Sequence, residues 1–259
     1  MFPKSSVRPQ IQLSKNINND LILEMHALRA KYIRLKPEIS VEHDFEKFSS
    51  FFRDGANAVL LRDNQGQLRG FFGYRIDRVT IEKKTIPIFW KEYLFLDRQF
   101  RGDPAYSLAW LKIYFKIFRL YRVSKLAVFA ITFPASHLFG VSQCGHSNWY
   151  STVDPYLSSE QKGILDFCIQ HYLKEDFDSK TRRVSIRTIP FEHPWTVNLE
   201  PGHLETLNIY EKKNPDWRSG IGLPVIFQPS AITLSRSLLK RLIRKTRSRK
   251  SGLKKGRQV

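Results

Sequence analysis

A single carboxylate, Glu92, stands in the apolar run Ile86 to Leu96, among Trp90, Tyr93, Leu94 and Phe95. An acid held among such side chains loses hydration in its charged form. Its pKa then rises, toward the range in which a general base works near neutral pH. A plainer arrangement fits the same residues: Glu92 paired with Lys91, or facing solvent at a sheet edge. A second group, His137, Cys144 and His146, lies close in sequence and invites a thiolate–imidazole nucleophile or a zinc site. No residue stands out to orient the imidazole. A fourth ligand and a short paired spacing are missing too, so neither chemistry is adopted and no metal is expected. His171, His193 and His203 are scattered.

The elements that must position Glu92 follow from periodicity and punctuation. Asn18 or Asn19 caps a helix running to about Arg34, with Leu21, Met25, Leu28, Tyr32 and Leu35 on one face, and Pro37 ends it. A short helix from Val41 to Arg53 turns Phe45, Phe48, Phe51 and Phe52 inward. Three strands follow in a meander: Ala58 to Arg62, Leu68 to Ile76 with Val79 to Ile81 extending it, and Ile86 to Leu96. Asp63-Asn64-Gln65-Gly66-Gln67 and Glu82-Lys83-Lys84 supply the turns. Asp97 to Asp103 is a charged loop with one glycine, and Pro104 opens a helix to Tyr121. A buried strand, Lys125 to Thr132, comes next. Later elements are a helix from Ser158 to Tyr172, strands near Val184 to Ile189 and Leu223 to Phe227, and a helix from Ser230 to Lys245. Antiparallel neighbours followed by a strand–helix–strand crossover predict an α/β fold of mixed α+β type, a central mixed sheet flanked by helices.

The chain of 259 residues has 43 Lys+Arg against 24 Asp+Glu, a net charge of +19. The excess is uneven: Arg236 to Val259 carries 11 basic residues and no acid. From Ser230, Ile232, Leu238, Leu239, Leu242 and Ile243 share one helical face while Lys240, Arg241, Arg244, Lys245 and Arg247 crowd the others. Such a basic amphipathic segment suits an anionic membrane surface, a protein partner or nucleic acid. A solvated basic extension is the simpler reading. Three segments are expected: a flexible lead-in over 1–16, a folded domain over 17–229, and the basic helix and tail over 230–259. Two cysteines form no disulfide framework or metal spacing, which fits reduced thiols in the cytoplasm, peripheral to the membrane where the tail attaches. Met1 to Lys15 is polar, without a signal-peptide apolar core, and no run of about 18 uncharged apolar residues occurs.

The order of elements, with Phe100-Arg101-Gly102 between strand and helix, resembles the GNAT superfamily of acyl-CoA N-acyltransferases. There a loop of the type R-G-x-G-x-G/A opens a helix and presents backbone N–H groups to a pyrophosphate, helped by the helix dipole. Arg101-Gly102 matches the start of that motif, but the two later glycine positions are Pro104 and Tyr106. Pro104 removes one donor and Tyr106 adds bulk. The resemblance implies coenzyme A or acyl-CoA held by the N–H groups of Gly102, Asp103, Ala105 and Tyr106, with Arg98 and Arg101. It further implies pantetheine along Leu94, Phe95 and Leu96, and Glu92 as the base that takes a proton from an amine acceptor. Tyr150 or Tyr156 would be the acid that protonates the leaving thiolate. Asn214-Pro215 and Gly220-Ile221-Gly222-Leu223 are similar to a segment of long GNAT-like proteins. The expected function is acyl transfer from a thioester to an amine. The alternative is a non-catalytic basic module that keeps the fold and associates with anionic membrane or nucleic acid.

Overall fold

The computed structural model describes residues 7–97, 100, 104–123, 126–133, 137, 141, 148–186, 188–190, 201–230 and 232, with backbone alone over 104–108, 188–190 and 201–203. Three helices begin where the sequence offers a side-chain oxygen. Asn18 accepts from the Leu21 N–H at the start of α1 (Asn19–Ala30). Ser40 accepts from His43 at the start of α2 (Val41–Arg53), whose first turn carries Glu42 and Asp44. Ser158 and Gln161 exchange bonds in a capping box. Each cap satisfies an N–H that the first helical turn leaves without an intrahelical partner.

The meander forms as β3 (Asn57–Asp63), β4 (Leu68–Ile81) and β5 (Lys84–Leu96), all antiparallel. Asp63 closes the first turn by accepting from the N–H groups of Gln65 and Gln67, and Gly66 sits at φ 82°. The second is a two-residue turn with Glu82 at φ 48° and Lys83 at φ 65°. Positive φ at both positions matches the right-handed twist of a hairpin. α3 (Pro104–Tyr121) then crosses to β6 (Ala127–Thr132), which pairs parallel with β5. β11 (Ile221–Phe227) lies antiparallel on the far side of β6. Among the described residues the sheet runs β1-β3-β4-β5-β6-β11-β9-β8, where β1 is Val7–Gln12, β8 Phe177–Asp178 and β9 Arg183–Ser185. β7 (Trp149–Ser151) pairs with β11 as well.

Alternate residues of the strands feed two cores, one on each face. Phe72, Phe89, Val128 and Val225 pack with α3 residues Trp110, Ile113 and Ile117. Tyr210 of α5 (Pro201–Lys213) and Trp217 join them. Phe71, Trp90, Phe129 and Ile226 pack on the other face with α1, α2 and α4 (Ser159–Tyr172), through Met25, Phe48, Phe52, Ile164 and Cys168.

Three expectations change. The first helix stops at Ala30, and Ile33–Leu35 forms β2, which pairs with β10 (Thr188–Pro190). Ile22, not Leu21, is the residue of its first turn buried in the core, and Leu35 belongs to β2. Within the lead-in over 1–16, Val7–Gln12 is a strand laid along β3, with Val7 buried. Strand pairing with β3 and α5 were both missed, because neither segment shows strict apolar alternation or a clean helical stripe. The helix expected from Ser230 to Lys245 and the tail beyond it lie outside the described residues, apart from Ser230 and Ile232.

The Asn214-Pro215 segment has a structural role. Asn214 is buried and its Nδ2 donates to the Tyr210 hydroxyl at 3.0 Å and to the Ile221 carbonyl at 2.9 Å. Tyr210 donates in turn to the Thr132 carbonyl at 2.6 Å. The segment fastens α5 to the edge shared by β6 and β11. Gly220, at φ 73°, ends the 3₁₀ turn that leads into β11.

Candidate active site

Glu92 stands next to an irregularity in β5. The β4–β5 ladder pairs Phe72 with Leu94 and Gly73 with Glu92, so Tyr93 is an extra residue, at φ 51°. An extra residue breaks the period of two, and such bulges re-aim side chains. Trp90, Tyr93 and Phe95 pack on the α1–α2–α4 face, whereas Leu94 and Leu96 pack on the α3 face. Glu92 and Tyr93, adjacent in sequence, therefore both line the same cleft.

The bulge coincides with the end of a second ladder. Among the described residues β5 pairs with β6 only from Ile88 to Trp90, opposite Ala127 to Phe129. Beyond Trp90 the two parallel strands part. Residues 91–96 of β5 thus run on past the β6 ladder, with the bulge at their start. Close packing holds this stretch on its other side: a Cβ on Gly70 would stand 2.6 Å from Leu96 Cδ1 and 3.0 Å from the Phe95 carbonyl oxygen.

The cleft that Glu92 lines has a volume of about 430 Å³. α2 and its C-cap contribute Phe51 and Asp54 on one side, and the end of α4 with the chain after it contributes His171, Tyr172 and Glu175 on the other. Its floor is aromatic. Tyr172 stacks on Trp90 with ring centres 4.0 Å apart, and Phe51 meets Trp90 edge-on at 5.1 Å. Arg75 lies over both Phe51 and Trp90 and donates to the Phe51 carbonyl at 2.8 Å. Tyr172 donates to Asp77 at 2.5 Å; burial first, then that hydrogen bond, raise its pKa far above the usual phenol range, so it stays protonated.

A buried ion pair supports the bulge from behind. Arg29 donates twice to Asp44, once at 2.8 Å and once by a shorter contact, and both residues are almost fully buried. His26 lies 3.2 Å from the same carboxylate. Burial acts to raise the Asp44 pKa, but the hydrogen bonds from His26 and Arg29 and their charge outweigh it and bring it to about 2. The Arg29 guanidinium also stands 5.6 Å from the Tyr93 ring centre and 5.5 Å from that of Phe48. The pair thereby ties α1 and α2 to the residue that carries the bulge.

Lys91 is on the opposite face. Its ammonium is 5.6 Å from the Trp110 ring centre, and burial lowers its pKa from 10.5 to about 8. The sequence alone suggests it only as a partner for Glu92. Unbroken alternation from Phe89 places it on that face, and the packing of α3 there, which buries it, has no marker in the sequence.

The other candidates are not gathered at the cleft. Tyr150 is half-buried in β7, its backbone opposite Ile226, and Tyr156 is 93% exposed; neither lines the cleft. Leu94, Phe95 and Leu96 occupy the stretch of β5 beyond the β6 ladder. Arg98, Arg101, Gly102 and Asp103 lie outside the described residues, as do the side chains of Ala105 and Tyr106, although the backbone of both is in the first turn of α3. Asp97, just before them, accepts from Tyr32 at 2.8 Å and lies 3.5 Å from Arg69. His137 is fully buried, 4.3 Å from the Trp149 ring centre, and burial lowers its pKa to about 3. Cys144 and His146 lie outside the described residues, and no group of three metal-ligating side chains occurs among those described. Cys168 is a buried free thiol.

No family model matches the sequence, and no curated protein matches it. Solved structures do show likeness over about half the chain. A probable N-acyltransferase of unknown function from Enterococcus faecalis is 14% identical, with 56% of this chain matched to 33% of that one at a TM-score of 0.38. The chain thus matches only a third of that protein's length. Escherichia coli ElaA is 10% identical over 59% of this chain and 93% of its own, at 0.37. The GNAT family N-acetyltransferase YhbS from Escherichia coli, solved with CoA, is 18% identical over 52% of this chain and 68% of its own, at 0.32. Likeness at this level leaves activity to be argued from the site itself.

Proposed function

We propose that the protein is an acyl-CoA-dependent N-acyltransferase of the GNAT type, with Glu92 as general base. The observation that carries this reading is the coincidence of two breaks in β5: the β6 ladder ends at Trp90, and within three residues the Tyr93 bulge sets a second residue beside Glu92 on the cleft face. An extended strand edge suits the amides of pantetheine, which would lie along Leu94, Phe95 and Leu96. The cleft suits the amine. Glu92 takes the ammonium proton, directly or through water; the neutral amine attacks the thioester carbonyl, the C–S bond breaks, and an amide and a thiol result. The pyrophosphate would meet the N-terminus of α3, with Arg98 and Arg101 as its cationic partners.

One observation favours a second reading. α3 begins at Pro104, so one N–H is missing where phosphate binding would use it. A module that keeps the fold without binding acyl-CoA would show this same feature.

A thermal-shift series with coenzyme A and several acyl-CoAs separates the two. A ligand at ~100 times its dissociation constant stabilises the folded chain by ~2.7 kcal/mol. Calorimetry showing no heat of binding at millimolar acyl-CoA removes the enzyme reading. Where binding occurs, Arg101→Ala weakens it more than Arg119→Ala; equal effects would place the phosphates elsewhere.

A further inference from the structure

One side of α3 builds the core, through Trp110, Ile113, Tyr114, Ile117 and Phe118. The other side is exposed and consists of Lys112, Phe115, Lys116, Arg119 and Leu120, followed by Arg122 just past the helix end. The helix contains no acid. Three cations run along the middle of the outer face, with Phe115 on one flank and Leu120 on the other. Phe115 is 38% and Leu120 65% exposed, large for apolar side chains beside three cations. Arg78, also exposed, lies over the Tyr121 ring at 5.6 Å and extends the positive surface past the end of the helix.

The chain after β11 passes the same end of the helix. The Leu126 N–H, five residues after the end of α3, donates to the Pro229 carbonyl at 3.4 Å. Ile232, just beyond, is 66% exposed. From Arg236 onward come 11 further basic residues and no acid. Among the described residues no acid pairs with the cations of the α3 face, and large apolar side chains stand among them.

We propose that the outer face of α3 docks the protein on an anionic lipid surface. Cations attract the headgroups, and the field reaches only about a Debye length. Phe115 and Leu120 would enter the headgroup–acyl boundary, while lysine and arginine stems lie along it with their charges in water. Nucleic acid would satisfy the charges but would give the two flanking apolar side chains nothing to bury. This inference stands whether or not the chain turns over acyl-CoA.

The test uses the full chain and sedimentation with phosphatidylcholine vesicles, with and without phosphatidylserine. Wild type is expected to bind only the anionic vesicles and to release as salt rises from ~0.1 M to ~1 M. Phe115→Gln/Leu120→Gln should weaken that binding about tenfold while leaving binding to duplex DNA unchanged. Lys112→Gln/Lys116→Gln/Arg119→Gln should weaken vesicle binding about tenfold or more. All five side chains are exposed, so both variants should melt with wild type; if one does not, the other carries the test. Wild type failing to bind anionic vesicles overturns the proposal. So does either well-folded variant binding them like wild type. An equal loss for DNA and vesicles in the apolar variant would mark a general polyanion surface and overturn it too.

Discussion

Gly73 and Glu92 face each other across the β4–β5 ladder at the step where Tyr93 is inserted. A Cβ on Gly73 would stand 2.6 Å from Phe51 Cε1 and 3.1 Å from Phe52 Cζ. α2 can press onto the sheet there only because residue 73 has no side chain, and Phe51 then forms a wall of the cleft that holds Glu92.

Gly73→Ala is therefore expected to lower stability by ~1–3 kcal/mol, the usual cost of overpacking a close-packed core. Denaturant unfolding measures it. An unchanged midpoint at unchanged slope would mean that Phe51 yields freely and that the α2–β4 contact does not set the cleft wall.

Glu92→Gln keeps the shape of the side chain and removes its basicity. Turnover should fall sharply with acyl-CoA affinity barely altered, as when an interaction specific to the transition state is lost. An unchanged rate at saturating acceptor would end the assignment of Glu92 as the base.

Lys91 gives a pH dependence of definite sign. Its folded-state pKa is lowered from 10.5 to about 8, so between those values the unfolded chain holds a proton that the folded chain lacks. Stability from this group therefore rises with pH across that window, and below it the folded state bears the full cost of burying the charge. Lys91→Met should stabilise the protein near neutral pH by up to about 3 kcal/mol. The difference between variant and wild type should shrink as pH climbs from about 8 to 10.5. Melting curves of both across this range check it, and a constant difference would show that Lys91 is not titrating there.

Asp44→Asn removes the charge that faces Arg29. It should cost ~3–5 kcal/mol, because a guanidinium stays buried without its counter-charge. The wild-type carboxylate is held at about 2, below the usual aspartate value of 3.8. Its contribution is thus present above the unfolded value and is lost as pH falls through about 2. Urea unfolding of both proteins from neutral pH into acid tests this: the gap between them should narrow only in that acid window.

The local elements could be read from the sequence because their causes are local. Asn18, Ser40 and Ser158 cap the helices as their types suggest, Asp63 and Gly66 make a turn, and Pro104 opens α3. The meander and the crossover follow from strand length and connection length alone, and Glu92 was conspicuous as one acid in an apolar strand. Tertiary structure decided the rest. Val7–Gln12 became a strand because β3 offered it an edge, and β2 replaced the last turn of the first helix because β10 pairs with it. Most of all, the presence of Tyr93 on the same face as Glu92, and the faces on which Leu94, Phe95 and Leu96 emerge, depend on one extra residue at Tyr93. A bulge leaves the composition of a strand unchanged while reversing every side chain beyond it. Its position is set by what packs on both sides, Phe51 and Phe52 against Gly73 and the Arg29–Asp44 pair behind Tyr93, and those contacts exist only once the helices have docked.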